Sequence, residues 1–111
     1  MELLVIVLNK EEYLENILSI LVELGVSGAT ILDSEGLGHF LAYEVPIFAG
    51  LRQLISREKR ALNKTIFALV EEKDFLSKLK KILKEEEIDF SKPGTGIIFT
   101  LPVNDAIKPE K

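Results

Sequence analysis

Apolar residues recur along the chain in two distinct periods. The run Leu3-Leu-Val-Ile-Val-Leu8 is continuously apolar and predicts a β-strand. Leu14, Ile17, Leu18 and Leu21 then return at helical spacing until Gly25 offers a left-handed stop, which predicts an amphipathic helix. Asn9, with Glu12 three residues later, predicts a capping-box start for that helix. Residues 29–33 and 64–71 read as the second and third strands. Asp74 is placed to cap a second helix whose Phe75, Leu79, Ile82 and Leu83 share one face, and residues 96–101 supply a fourth strand. The order βαββαβ predicts an α+β ferredoxin-like sandwich: an antiparallel sheet with two helices on one face.

A sheet covered on one side should alternate apolar with polar residues. The first strand is apolar at Leu3, Val5 and Val7 and equally at Leu4, Ile6 and Leu8, and the third repeats this with Ile66, Ala68 and Val70 against Phe67 and Leu69. Both being central strands would account for the high hydrophobicity but leaves the second face uncovered. Burying an exposed Leu, Ile or Val contributes about 1.5–3 kcal/mol, so several per strand favour an obligate oligomer.

The connection from Gly36 to Leu62 is far longer than a hairpin requires. Pro46, followed by Ile47, Phe48, Leu51, Leu54 and Ile55, predicts a short amphipathic helix within it. Arg52, Arg57, Lys59 and Arg60 against Glu44 and Glu58 give this loop a net +2, which leaves -6 for the remainder of a chain of net charge -4. A positive arm on a negative body can steer toward an acidic partner or a phosphate, and a solvated charged tip accounts for the same charges equally well.

At 111 residues, 47% hydrophobic and 29% charged, the chain suits one globular domain spanning 1–111, with the 36–62 loop as its main insertion. Its negative charge argues against a general nucleic-acid role. The longest apolar run has six residues, so no membrane insertion and a cytoplasmic location are expected. Cysteine is absent and His39 is the single histidine, which removes thiolate chemistry and any multi-histidine metal site within one subunit. No serine stands in a nucleophile-elbow context, and no enzyme is expected.

The richest segment is Lys92-Pro93-Gly94-Thr95-Gly96, followed by Ile97-Ile-Phe-Thr-Leu-Pro-Val-Asn-Asp-Ala-Ile107-Lys108. Glycines one residue apart can turn backbone N–H groups toward one point and hold an anion, although glycines so placed are also ordinary hairpin punctuation. Residues 94–107 resemble the end of the PII signal-transduction proteins, where a Gly-x-Gly turn and strand lead into Leu-Pro-Val-x-x-Ala-Ile. A second match is Gly25-Val-Ser-Gly-Ala-Thr30-Ile31 with Glu35-Gly36-Leu37-Gly38, similar to that family's second strand and the start of its long loop.

The resemblance implies a non-enzymatic regulator, a homotrimer with sheets facing inward and ligand clefts between subunits. It implies a cleft built from Gly94, Thr95 and Gly96, from Thr30 and Ile31, from Gly36, Leu37 and Gly38, and from Lys92 and Lys108. Thr30 is as readily a β-branched strand residue as a hydroxyl donor. The implied ligand is an adenine nucleotide (AMP, ADP, ATP or a cyclic dinucleotide). The 36–62 loop, with His39, Tyr43, Arg52, Arg57 and Arg60, would relay occupancy to a target such as a transporter or enzyme. The chain departs from the family pattern at Ile97, where a lysine is usual, and at Lys108 and Glu110, where two arginines are usual. These departures weigh against paired ATP and 2-oxoglutarate sensing. A trimeric divalent-metal binder similar to the CutA family, or a scaffold that has lost its ligand, are the alternatives.

Overall fold

A computed structural model describes residues 1–53 and 63–109, with side chains through 50 and from 63. Four strands, β1 (Glu2–Leu8), β2 (Thr30–Ser34), β3 (Asn63–Val70) and β4 (Gly96–Pro102), form one antiparallel sheet in the order β2-β3-β1-β4. Three α-helices accompany it: α1 (Leu14–Glu23), α2 (Leu37–Glu44) and α3 (Phe75–Glu85). Short 3₁₀ segments cover Glu11–Tyr13 and Pro46–Gln53. The βαββαβ order is as the apolar periods predict, with α2 added inside the connection between β2 and β3.

Register sorts the strands into two faces. Leu4, Ile6 and Leu8 share a face with Ile66, Ala68 and Val70 of β3 and with Ile98 of β4. That face meets Ile17, Ile20 and Leu21 of α1 and Phe75, Leu79 and Leu83 of α3 in one buried cluster. The other face carries Leu3, Val5 and Val7, flanked by Phe67 and Leu69 on β3, Ile97, Phe99 and Leu101 on β4, and Leu32 on β2. In the single chain it lies open: Ile97 is 56% exposed, Leu101 47% and Leu32 46%. The doubly apolar strands therefore have one face buried under helices and a second with no cover from the described residues.

Helix ends depart from expectation in three places. Asn9 does not cap α1: Lys10 stands at the start of the 3₁₀ turn that leads into the helix, without a side-chain cap, and the Asn9 amide is engaged across the sheet instead. Asp74 sits at the start of α3 in the left-handed region, φ +62°, instead of the extended backbone usual for a capping residue, and makes no side-chain cap. Residues 37–44, read as loop, form α2; the short helix expected from Pro46 is a 3₁₀ segment through Gln53, and its Leu54 and Ile55 lie outside the described residues. Gly25 terminates α1 as expected, at φ +90°, with Val26 N–H donating to the Leu21 carbonyl at 3.0 Å.

Candidate functional site

The end of the sheet where β1 finishes and β4 begins holds the glycine turn. Gly94 and Gly96 take φ of +88° and +144°, values open to glycine and strained for other residues. Between them Thr95 is buried at 1% exposure. Its carbonyl accepts the Asn9 N–H at 2.9 Å, which carries the β1–β4 pairing one step beyond Leu8–Gly96. The approach to the turn is shaped by Asp89, whose carboxylate accepts the Ser91 hydroxyl at 2.5 Å and the Ser91 N–H at 2.8 Å. These bonds, the hydroxyl first, and the nearby Lys92 charge hold the Asp89 carboxyl below its ordinary pKa.

One transverse row of polar groups crosses all four strand ends. Ser34 Oγ on β2 donates to Asn63 Oδ1 on β3 at 2.6 Å, and Asn63 Nδ2 donates to Asn9 Oδ1 at the end of β1 at 2.9 Å. The Asn9 backbone then reaches Thr95 at the start of β4. Thr65 Oγ1 lies 2.6 Å from Ser34 Oγ and completes the row from the neighbouring position on β3. Gly36 lies against it: a Cβ there would be 3.5 Å from Asn63 Nδ2. Leu37 and Gly38 follow directly as the first turn of α2, whose Phe40 N–H donates to the Gly36 carbonyl at 3.0 Å.

The structure thus brings the loop base (Gly36, Leu37, Gly38) to the same end of the sheet as Lys92, Gly94, Thr95 and Gly96. On the opposite side of the sheet at this end, Lys64 pairs with Asp33 and lies 3.7 Å from Glu11. Its hydrogen bond to Asp33 is the main reason that its ammonium pKa is raised.

Thr30 and Lys108 lie elsewhere. They line an open cleft of about 1290 Å³ between the Gly25–Thr30 segment and the end of β3, with Glu71, Phe75 and Pro109. Lys108 pairs there with Glu71. Thr30 is opposite Phe67 on the open face, while Ile31 pairs with Ile66 on the helix side and is 43% exposed. Seven-residue β1 separates Lys108 from the glycine turn, on the order of 20 Å at about 3.3 Å per residue.

His39 is engaged within the loop: its Nδ1 is 2.7 Å from Glu35 Oε2, and its ring centroid lies 4.8 Å from that of Tyr43. Arg52 falls in the 3₁₀ segment, and its side chain, like Arg57 and Arg60 as a whole, lies outside the described residues. Among the described residues no group of three His, Cys, Asp or Glu side chains could hold a metal ion, and no helix is long and apolar enough to cross a membrane. Asn9, Ser34, Asn63 and Thr65 are residues beside the candidate site whose cross-strand bonding sequence reasoning missed. Their signal is a shared row, visible only once the strands are in register.

A family model described as nitrogen regulatory protein P-II matches residues 1–110. No curated protein sequence matches the chain. Among solved structures, the crystal structure of Arabidopsis thaliana PII bound to citrate is similar to it, with a TM-score of 0.58 and 22% identity. That likeness covers 96% of this chain and 80% of the plant protein's, and it shows a shared fold.

Proposed function

The chain belongs to the nitrogen regulatory protein P-II family, whose members are non-enzymatic signalling proteins, and on that premise we propose how this member regulates. It assembles as a homotrimer through the open sheet face. It takes up an adenine nucleotide, or a related anionic small molecule, in clefts between subunits. Occupancy is passed to a target protein through the 36–62 connection.

The observation that supports this reading most directly is the shared end of the sheet. Gly36, where the connection leaves β2, lies beside Asn63, and Asn63 bonds to Asn9, whose N–H in turn bonds to Thr95 of the Gly94–Gly96 turn. A glycine turn with Lys92 beside it suits an anion, because its backbone N–H groups approach closely and a basic side chain neutralises charge. The Thr30 cleft, with Lys108 in its lining, would be the half of the site supplied by a neighbouring copy. The citrate bound by the plant PII is likewise a small anion, which makes it a natural probe here.

Titration calorimetry of the purified protein against AMP, ADP, ATP, a cyclic dinucleotide and citrate tests the sensing half. Saturable heat at a fixed stoichiometry per subunit supports it. No heat and no thermal shift with any of the five removes it and leaves a P-II family scaffold.

A further inference from the structure

The polar row at the sheet end has a direction. A serine hydroxyl carries one proton, so Ser34 donating to Asn63 Oδ1 leaves Thr65 to donate to Ser34 across 2.6 Å. The Asn63 amide is then oriented, with its oxygen toward Ser34 and its nitrogen donating to Asn9 Oδ1 at 2.9 Å. Asn63 is the first residue after the long connection, Gly36 is its start, and Asn9 holds the Thr95 carbonyl through its own N–H at 2.9 Å.

Each of these bonds is local, yet together they join three backbone segments far apart in sequence. The glycine turn has little freedom of its own, because Gly96 is packed under the Val7 carbonyl. Movement of Thr95 therefore reaches Asn9, and from Asn9 both stems of the connection.

From this geometry we infer that Asn63, oriented by Ser34 and Thr65, is a positioning residue that couples the glycine turn to the start of α2. The coupling depends on the donor face of Asn63 meeting the acceptor face of Asn9. This inference takes its purpose from the regulatory reading above, whereas its test requires no ligand.

Hydrogen exchange on the full-length, ligand-free protein provides that test. The Phe40 N–H, bonded to Gly36, reports on the loop start, and the Asn9 N–H, bonded to Thr95, reports on the glycine turn. Amides at the middle of β1 and β3 report global opening and are subtracted. Asn63→Asp replaces the donor by an acceptor and should raise exchange at both reporter amides about fivefold, the worth of one net hydrogen bond. Asn9→Asp keeps the acceptor that Asn63 requires and should leave Phe40 within about twofold of the parent.

Asn63→Ala guards against a charge effect and should match Asn63→Asp. The coupling is overturned if the Asn63 variants move neither reporter beyond the strand centres, or move only one. It is also overturned if Asn9→Asp disturbs Phe40 as strongly as Asn63→Asp does. Failure of every nucleotide to bind would remove the sensing reading and leave this exchange result standing on its own.

Discussion

The backbone carbonyl of Val7 occupies the place where a side chain on Gly96 would begin: a Cβ built there falls 2.1 Å from that oxygen and 3.1 Å from its carbon. Backbone in a central strand cannot step aside, and the φ of +144° at Gly96 adds conformational strain for any other residue. Gly96→Ala should cost at least about 3 kcal/mol of unfolding free energy. Gly94 also has positive φ, +88°, but no atom lies within 4 Å of the point where a Cβ on it would stand, so Gly94→Ala should cost only about 1 kcal/mol. Urea unfolding of the two variants side by side checks the ordering; equal losses would mean that the Val7 contact constrains nothing.

That contrast also marks what can be read from sequence. Gly25 was legible because a left-handed helix stop is settled within a few residues, by bonds such as Val26 to Leu21. The open apolar face was legible because strand alternation is local, and Leu3, Val5 and Val7 break the expected pattern by themselves. Asn9 was not legible as a cross-sheet residue: its neighbours fit a helix cap, and only the pairing of β1 with β3 brings Asn63 to it. The α2 helix was hidden for a related reason. Gly38 argues against a helix by about 1 kcal/mol within one, yet Ala42 is fully buried there, and such packing overrides propensity.

Glu87 follows α3 at φ +62°, a left-handed position where glycine is preferred. The next residue, Ile88, donates its N–H to the Leu83 carbonyl at 2.9 Å, and both side chains are buried in the core, so the helix stop itself is well formed. Only the Cβ of Glu87 is out of place. Glu87→Gly should therefore stabilise the protein by about 0.5–1 kcal/mol, read as a rise in the urea midpoint with an unchanged slope. A fall in midpoint would show that the Glu87 side chain makes a contribution larger than its backbone strain.

Asp89 gives a pH prediction with a definite sign. Its carboxyl pKa is depressed in the folded chain, chiefly by the Ser91 hydroxyl and then by the Ser91 N–H. A depressed carboxyl contributes stability above its unfolded pKa and loses it as pH falls through the lower folded value. Ser91→Ala removes the larger cause, so the Asp89 titration followed by NMR should move upward toward the ordinary carboxylate range. The stability difference between parent and variant should be present at neutral pH and shrink in acid. An Asp89 titration unmoved by Ser91→Ala would assign the depression to another group.

The last prediction concerns the face that no described residue covers. Three rows cross it: Leu32, Thr65, Val7 and Ile97; then Thr30, Phe67, Val5 and Phe99; then Leu69, Leu3 and Leu101. Each large apolar side chain fully buried there contributes about 1.5–3 kcal/mol, and association costs about 4–15 kcal/mol in lost freedom, so a few such residues per copy suffice. Exposure alone does not distinguish this face, because Val22 on α1 is 71% exposed as well. If the proposed trimer forms through this face, Phe99→Glu and Ile97→Lys should reduce it to single chains in sedimentation velocity, while Val22→Lys should leave it intact. Charge on the sheet is costly only if another copy must bury it, whereas charge on α1 stays in water in either state. A parent protein that sediments as a single chain at micromolar concentration would end the case for assembly through this face, and with it the case for a cleft that joins Lys108 of one copy to the glycine turn of the next.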